Sequence, residues 1–320
     1  MNTDLQSLAI LVPCYNEQEV FLISLEKLTS ILEQLITSKK ISESSYILFV
    51  DDGSQDNTWS LIVGAGVGKS SVRGLKLAHN KGHQIALIAG LTYIDTDMVV
   101  SIDADLQDDP DVIVQMVDKF LLGYDIVYGV RNSRETDSFW KRTMAESFYK
   151  LMSKLGVEQI YNHADFRLLS KRARQSLLLY KEENIYLRGL VPMLGFRSTE
   201  IYYERHVRAA GITKYPFKKS LALAIEGITS LSVKPLRLIT ILGLCVFLLS
   251  VAAIIYTVIE KMLGNTIQGW SSTIVIISFF GGIQIMALGI IGEYIGKIYN
   301  EVKKRPKFFI DESSNIEKEK

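Results

Sequence analysis

An Asp-x-Asp-x-Gln run directly after a short apolar segment carries the strongest chemical signal in the sequence. Asp103, Asp105 and Gln107 hold oxygen-bearing side chains at alternate positions, which point to one side of an extended segment. Asp-x-Asp alone is common in solvated turns, but carboxylates this close at the end of a buried strand need a positive partner. Oxygen ligands of this kind suit Mg²⁺ or Mn²⁺, particularly when substrate phosphates complete the coordination shell. We therefore predict a divalent cation bound by these three residues.

Two more carboxylates follow the run. Asp108 and Asp109 stand before Pro110, a residue that is well placed in the first turn of a helix. We interpret both as charges at a helix N-terminus, where the helix dipole favours them.

The elements that must position these side chains alternate between strands and helices. Apolar runs predict five strands, at Leu8–Val12, Tyr46–Val50, Val72–Leu77, Met98–Ile102 and Ile126–Tyr128. Helical spacing predicts helices between them, which indicates an α/β fold with a doubly wound, mostly parallel, Rossmann-like sheet. Ligands of such sheets bind at the carboxyl ends of the strands. Four polar segments fall at those ends: PCYNE, DDGSQD, HNKGH and DADLQ.

The segment GAGVGKSS at positions 64–71 resembles a phosphate-binding loop of ATPases. The motif requires glycine where this chain has Val63, and the segment precedes a strand instead of following one. We interpret it as a surface connection, which disfavours a membrane-tethered ATPase.

The composition points to a membrane. Of the 320 residues 48% are hydrophobic and the mean hydropathy is +0.17. Leu238–Ile259 and Trp270–Ile291 are uncharged, and each would span about 33 Å as a helix, enough for a bilayer core. Two buried core helices are the alternative, but two such lengths only ten residues apart favour a transmembrane hairpin.

Charge distribution predicts the orientation. Lysine and arginine cluster before the first apolar run and after the second, so both termini are expected in the cytoplasm of a bacterial cell, on a multi-pass protein of its plasma membrane. No signal peptide is expected, and Cys14 and Cys245 suggest no disulfide framework. The net charge of +1 favours no class of charged partner, and no nucleic-acid partner is expected.

Several motifs together resemble a known family. VPCYNE, VDDGSQDNT and IDADLQDDP resemble the signature motifs of family 2 glycosyltransferases, which have the GT-A fold. With NHADFRLLSKRA and the ending GEYIGKIY, the chain resembles polyprenyl-phosphate glycosyltransferases, especially bactoprenol (undecaprenyl-phosphate) glucosyltransferases, which are related to dolichol-phosphate mannose synthases. The expected organisation is a cytosolic GT-A domain (1–215), an amphipathic juxtamembrane segment (216–236), two transmembrane helices (237–260 and 270–292) joined by a short external loop (261–269), and a cytosolic basic tail (293–320).

The resemblance also implies roles for individual residues. The donor nucleoside would be lined by Pro13, Tyr15, Asn16 and Glu17. Asp52 would contact the base or ribose with support from Asp51 and Ser54, and Asp103 would face the ribose or sugar. For Asp56, at the end of the same segment, turn formation and capping of the helix that begins near Thr58 is as good an interpretation as a contact with the donor. The metal on the donor diphosphate would be held mainly by Asp105 and Gln107.

On the acceptor side, Asp165 matches the presumed catalytic carboxylate of the family. The alternative is a structural partner of Arg167, and we expect Asp165 to act as a base only if the acceptor phosphate arrives protonated. Phosphate binding is predicted for four basic residues: Arg131, Arg167, Arg208 and Lys214. His163 is expected to be structural.

The implied reaction is a metal-dependent, inverting transfer of a hexose, with glucose as first choice, from a UDP-sugar to undecaprenyl phosphate, for modification of a cell-surface glycan. UDP-GlcNAc, UDP-galactose and GDP-mannose are alternative donors. The expected partners are membrane lipids, further copies of the chain as a homotetramer, a lipid-sugar flippase and a downstream transferase. A processive synthase is disfavoured because no Gln-x-x-Arg-Trp motif occurs. An inactive nucleotide-sugar-binding subunit or sensor is the alternative of another class.

Overall fold

One mixed β-sheet organises the part of the chain that carries the polar motifs. The computed structural model describes residues 5–132, 163–182, 185–204, 234–263 and 269–316. Its strands are β1 (Leu8–Cys14), β2 (Tyr46–Asp51), β3 (Val72–Leu77), β4 (Met98–Ser101), β5 (Ile126–Arg131), β6 (His163–Ser170), β7 (Ser198–Tyr203) and β8 (Ile310–Ser314). They form an eight-stranded sheet in the order β7-β5-β6-β4-β1-β2-β3-β8. All five strands predicted from the sequence are confirmed.

The sheet is less uniformly parallel than predicted. Strands β3, β2, β1 and β4 are parallel neighbours, as in a doubly wound sheet. Strand β6 inserts antiparallel between β4 and β5, and β8 pairs antiparallel with β3. The sequence prediction ended at β5, so it missed the strands that make the sheet mixed.

Helices cover both faces of the sheet. They are α1 (Phe21–Thr37), α2 (Thr58–Gly66), α3 (His83–Tyr93), α4 (Val112–Leu121), α5 (Lys171–Leu178) and α6 (Leu187–Met193). Helices α1, α2 and α4 bury apolar side chains against one face, and α3, α5 and α6 against the other. In α1 the buried residues Leu28, Ile31 and Leu35 recur at helical spacing, which explains why this segment folds as a helix on the sheet.

The segment that resembles a phosphate-binding loop has a structural role. Helix α2 ends at Gly66, and the chain then turns into β3, so the segment does not open a helix after a strand. The Asn315 side-chain amide lies within hydrogen-bond distance of the carbonyl oxygens of Gly66, Lys69 and Val72, at 2.7, 3.1 and 2.9 Å. The interpretation as a surface connection is confirmed, but the connection is held in place.

Two long helices follow the sheet domain. Helix α7 (Lys234–Met262) and helix α8 (Trp270–Lys303) both run beyond the predicted bounds of 237–260 and 270–292. Within the described residues, one helical segment, Phe279–Lys303, is long and apolar enough to cross a membrane, with a mean hydropathy of 1.4. The arrangement with two spans stays a prediction.

The C-terminal segment was predicted to be a basic tail, and this prediction missed a strand. After α8 the chain returns to the sheet, where β8 pairs with the outer edge of β3. Phe308, Ile310 and Ile316 pack against the apolar core under α3. Lys76 on β3 forms ion pairs with Asp311 and Glu312 at 3.3 and 2.7 Å. The segment after the long helix is thus anchored to the sheet.

Candidate active site

The loops after β1 and β2 are tied together by hydrogen bonds. Asn16, which has a positive φ of 53°, receives a hydrogen bond on Oδ1 from the backbone N–H of Gln55 and donates its own N–H to Ser54 Oγ. The Glu17 backbone N–H donates to Thr58 Oγ1 at 2.9 Å, and Asp56 accepts from the Thr58 backbone N–H at 2.9 Å. Asp56 thus forms the turn that leads into α2, whose capping residue is Asn57. The first two polar segments therefore form one surface.

Two residues at the end of β1 that were predicted to line the donor nucleoside differ in exposure. Pro13 is buried within β1, where it pairs in register with Val50. Tyr15, directly after the strand, is 38% exposed. Of these two predicted donor residues, Tyr15 is the one whose side chain is available to a ligand.

Asp51 and Asp52 end β2 and hold the neighbouring loops. Asp51 is fully buried and accepts hydrogen bonds from the backbone and hydroxyl of Ser54. Burial raises the pKa of Asp51. Asp52 accepts from the backbone N–H groups of Lys81 and Gly82 at 2.7 and 2.8 Å. Burial also raises the pKa of Asp52, although these two N–H groups counteract it. Asp52 thus joins the second polar segment to the third.

The turn between Asp52 and Ser54 needs a glycine. Gly53 has a φ of +68°, and a Cβ at this position would lie 2.7 Å from the His79 carbonyl carbon and from the Asn80 nitrogen. Any side chain there would push away the loop that Asp52 holds.

His83 connects the third polar segment to the fourth. It is the first residue of α3, and its Nε2 lies 3.6 Å from Asp103 Oδ1 and 3.5 Å from Asp165 Oδ2. Burial opposes the charged imidazolium, but the two carboxylates outweigh it and raise the pKa of His83 to about 9. The predicted convergence of four polar segments on one edge is confirmed, and β6 joins them through Asp165.

Asp165 is surrounded by positive charge. It is 9% exposed and forms ion pairs with Arg167 and Arg188, the latter at 3.1 Å. Burial alone would raise the pKa of Asp165, but Arg188, His83 and Arg167 outweigh it and hold the pKa well below its usual range. At neutral pH this side chain is a carboxylate with cationic partners on several sides.

The Asp105–Gln107 turn carries the oxygen donors that a divalent cation needs. The Gln107 backbone N–H donates to Asp105 Oδ1 at 3.1 Å, and Leu106 between them has a positive φ of 52°. Within the described ranges, no three His, Cys, Asp or Glu side chains come close enough together to bind a metal ion by themselves. Mg²⁺ sites on phosphate substrates use one or two carboxylates, with substrate oxygens and water completing the shell. The donor set on this turn fits a site of that kind.

Asp108 is not the helix-terminal charge that the sequence predicted. It is 1% exposed and accepts hydrogen bonds from Arg131 Nε at 2.9 Å and from the Tyr203 hydroxyl at 2.6 Å. A buried carboxylate requires such partners, and these come from β5 and β7, far along the chain. Arg131 therefore has a structural partner in Asp108, and its phosphate binding stays a prediction.

Arg167 has partners inside the protein, and its phosphate binding stays a prediction. Arg167 is 3% exposed, and its guanidinium faces Asp165 and the Leu187 carbonyl, which agrees with the alternative of a structural pair. The cation that the sequence analysis missed is Arg188 on α6, whose side chain is 38% exposed. Arg208 and Lys214 lie outside the described residues, and His163, on β6, pairs in register with Val130.

Comparisons with known proteins cover both parts of the chain. Residues 9–178 match the family described as Glycosyl transferase family 2. Residues 234–298 match the GtrB C-terminal hairpin, a region that includes α7 and most of α8.

Relatives align over nearly the full length. A glycosyltransferase of Bacillus subtilis, YkoT, is 55% identical over 95% of this chain and 91% of its own length. The SfII prophage-derived bactoprenol glucosyl transferase of Shigella flexneri is 37% identical over 96% of this chain and 98% of its own. The prophage bactoprenol glucosyl transferase homolog of Escherichia coli is 38% identical over 95% and 98%, respectively.

Solved structures are more distant. Glucosyl-3-phosphoglycerate synthase from Mycobacterium tuberculosis, solved with Mn²⁺ and UDP-glucose, is similar with a TM-score of 0.46 at 16% identity, over 71% of this chain and 78% of that one.

Proposed function

Since the chain belongs to glycosyltransferase family 2, we propose that it transfers a hexose, with glucose as first choice, from a UDP-sugar to undecaprenyl phosphate. The observation that carries this proposal is the alignment of bactoprenol glucosyl transferases over 96% of the chain, which includes the catalytic sheet and the helical hairpin together. UDP-GlcNAc, UDP-galactose and GDP-mannose are alternative donors for the same reaction class.

The donor is proposed to bind across the carboxyl ends of β1, β2 and β4. Tyr15 and the linked loops of Asn16 and Ser54 form the surface for the nucleoside, with Pro13, Glu17 and Asp51 as supports beneath it. Asp52, which already holds the loop at Lys81 and Gly82, fixes the floor of this pocket.

The diphosphate of the donor is proposed to lie over the turn after β4. Asp105 and Gln107 would hold Mg²⁺ or Mn²⁺ there, with Asp103 beside them. When bound, the cation would neutralise the leaving nucleoside diphosphate.

Inversion at the anomeric carbon is the proposed chemistry. An acceptor phosphate oxygen attacks that carbon, the bond from the carbon to the β-phosphate oxygen breaks, and UDP leaves, so an α-linked donor gives a β-linked lipid product. A phosphate monoester is already largely ionised at neutral pH and needs no strong base. Asp165, paired with two arginines, is better suited to orienting groups than to accepting a proton.

The membrane attachment would bring this site to its lipid acceptor. We propose that α7 and α8 form a two-span hairpin in the plasma membrane of a bacterium, with the sheet domain and both termini in the cytoplasm. A homotetramer, a flippase for the lipid-linked sugar and a downstream transferase complete the proposal, as does phosphate binding by Arg208 and Lys214.

The test uses the full chain in membranes with undecaprenyl phosphate and Mg²⁺. UDP-glucose, UDP-GlcNAc, UDP-galactose and GDP-mannose are offered separately, and lipid products are identified by mass spectrometry. We expect one lipid-phosphate-hexose, formed from UDP-glucose, that disappears with EDTA and in the Asp105→Asn variant.

Asp109→Asn is the matched control, because it removes a neighbouring carboxylate whose Oδ1 accepts from the Asp111 backbone N–H at the start of α4. It should retain product formation. A lipid product from another donor would replace glucose as the proposed sugar. UDP binding with no lipid product from any donor would favour the alternative of a nucleotide-sugar-binding sensor.

A further inference from the structure

A groove lies at the end of the strands that points away from the candidate active site. Tyr46 is the first residue of β2 and Arg73 the second residue of β3, so both lie at the amino edge of the sheet. The donor loops follow the carboxyl ends of the strands, at the opposite edge. Arg174 of α5 and Asp95, which follows α3, line the same groove as Tyr46 and Arg73. The groove is therefore a second surface, separate from the one that carries the polar motifs.

Arg73 has an aromatic contact but no anionic partner. Its guanidinium carbon lies 3.6 Å from the centre of the Tyr46 ring. In the part of the chain that the structure describes, Arg73 forms no ion pair, and its buried Nε has no hydrogen-bond acceptor. The N–H groups of a guanidinium lie in its own plane, so a ring stacked against one face does not block them. The stacking thus fixes the plane of a cation whose donors remain able to bind an acceptor.

Arg174 brings a second guanidinium to the groove, and it is only partly paired. Arg174 is 5% exposed, its Nη1 donates to the Leu91 carbonyl at 2.9 Å, and its Nη2 lies 3.9 Å from Asp95 Oδ1. Among the described residues, no acceptor contacts its buried Nε. Buried N–H groups without acceptors cost free energy, and a ligand that accepts from them removes this cost. Two arginines of the groove therefore share the same unmet requirement.

The carboxylates along or beside the groove have partners elsewhere. Asp95 pairs with Lys171 at 2.8 Å, Asp97 accepts from the backbone and hydroxyl of Ser7, and Asp311 and Glu312 pair with Lys76. Lys76 lies on the opposite face of β3 from Arg73, because side chains three apart on a strand point to opposite faces. Of these four carboxylates, Asp95 is the one within 4 Å of a groove arginine, and its side chain is 84% exposed and screened by water. An anionic ligand would meet no buried carboxylate among these four.

We propose that this groove binds a phosphate-bearing anion through Arg73 and Arg174, with Tyr46 as the positioning residue of Arg73. Planar guanidinium groups bind phosphate oxygens through paired hydrogen bonds, and a ring behind one of them restrains its orientation. A soluble phosphate ester and the headgroup of an anionic lipid share this chemistry. Phe308 and Ile316 also line the groove, so the ligand would contact the C-terminal segment as well as β3 and α5. This second site does not depend on the proposed transfer reaction.

The test is calorimetry on the full chain in detergent, with EDTA present so that cation-dependent binding at the Asp105 turn does not contribute. The probes are pyrophosphate and dihexanoyl phosphatidic acid, which represent the soluble and the lipid source. Arg73→Gln removes a charged donor and should weaken binding of the tighter probe about 10- to 100-fold. Arg73→Lys keeps the charge without the planar pair of donors, so it should lose less affinity than Arg73→Gln.

Arg197→Gln is the matched control, because Arg197 also stacks on a tyrosine, 4.2 Å from the centre of the Tyr124 ring, but does not line the groove. Its affinity for both probes should stay within about twofold of the wild type. Tighter binding of phosphatidic acid would assign a lipid headgroup, and tighter binding of pyrophosphate a soluble phosphate ester.

Two results would overturn the proposal: no binding of either probe by the wild type at millimolar concentration, or equal binding by the wild type and Arg73→Gln. If Arg73→Gln does not fold, hydrogen exchange of the wild type replaces it. Pyrophosphate or phosphatidic acid should then slow exchange of the backbone around Arg73 and Arg174, and unchanged exchange there with both probes would overturn the inference.

Discussion

Polar groups at two parts of the sheet find their partners in different ways. At the carboxyl end of β4, Asp165 collects Arg167, Arg188 and His83, and two of these cations remain partly exposed. At the outer edge of β3, the chain's own C-terminus supplies the partners: β8 pairs along the strand, and the Asn315 amide contacts three backbone carbonyls.

The difference separates a proposed ligand-binding surface from an edge that the protein completes by itself. His83 and Arg188 beside Asp165 are partly exposed, and we expect substitutions there to affect catalysis as well as stability. The β8 edge uses backbone hydrogen bonds, apolar packing and one amide, which stabilise the fold and keep the long helix attached to the sheet. Substitutions there should affect stability while leaving the chemistry intact.

The largest effect is expected from Asp165→Asn. This change leaves Arg167 buried without its counter-ion, and removing one partner of a buried pair costs about 3–5 kcal/mol. Urea unfolding of the full chain in detergent should show this loss, and transferase activity should fall as Arg188 loses its support.

The matched control is Asp118→Asn, which breaks an exposed ion pair with Lys40. That pair should contribute no more than about 1 kcal/mol. If both variants lowered the free energy of unfolding equally, the ion pairs of Asp165 would contribute no more to stability than an ion pair on the protein surface.

The next effect concerns the turn at Gly53. Gly53→Ala must adopt a positive φ and also places its Cβ against the backbone of His79 and Asn80. Gly68→Ala meets a similar φ of +71° but has nothing within 4 Å, so it isolates the cost of the backbone conformation.

We expect Gly53→Ala to cost about 1–3 kcal/mol more than Gly68→Ala, because a crowded site must shift to accept it. The shift moves the loop bonded to Asp52, so UDP binding by calorimetry should weaken in Gly53→Ala and not in Gly68→Ala. Unchanged UDP binding in both variants would show that this loop does not shape the nucleoside surface.

A smaller effect is expected at the β8 edge. Asn315→Ala removes the donor to the carbonyls of Gly66, Lys69 and Val72, and should lower the free energy of unfolding by about 1–3 kcal/mol. Activity per folded molecule should equal that of the wild type at 20 °C. A loss of turnover without loss of stability would show that the attachment of the tail acts on catalysis directly.

The smallest effect is expected from Glu312→Gln, which breaks the ion pair between Glu312 and Lys76. The hydrogen bond from Lys76 lowers the pKa of Glu312, so this pair stabilises the fold above the ordinary glutamate pKa of about 4.3 and ceases to do so as the pH falls through the lower folded value. Glu312→Gln should therefore cost less than about 1 kcal/mol at pH 7, and this cost should shrink as the pH falls below the ordinary glutamate pKa, in parallel urea titrations. A difference that grows towards low pH would contradict this assignment.

Much of the catalytic edge could be predicted from the sequence, because its strands and loops are local patterns. Apolar runs ending in Asp51, Asp103 or Cys14 mark strands, and a parallel sheet must bring their carboxyl ends to one edge. The predicted convergence of the polar segments followed from this rule.

The roles of the charged residues were harder to predict. Asp108 stands before a helix in sequence and was interpreted as a helix-terminal charge, yet it is bonded to Arg131 and Tyr203. Arg167 was expected at a phosphate and is buried. No spacing rule links Arg188 to Asp165 across 23 positions, so this pair had no signal in the sequence.

The sequence by itself therefore determined five of the eight strands, the loops that carry the chemistry, the apolar helices and the family. Tertiary structure decided which carboxylates are held by arginines, and that the C-terminal segment returns to the sheet as β8. The physical reason is range: periodicity and turn chemistry act over a few residues, whereas the contacts of Asn315 with Val72 or of Tyr203 with Asp108 join positions 243 and 95 apart. Such pairs are chosen by burial and charge once the sheet has formed.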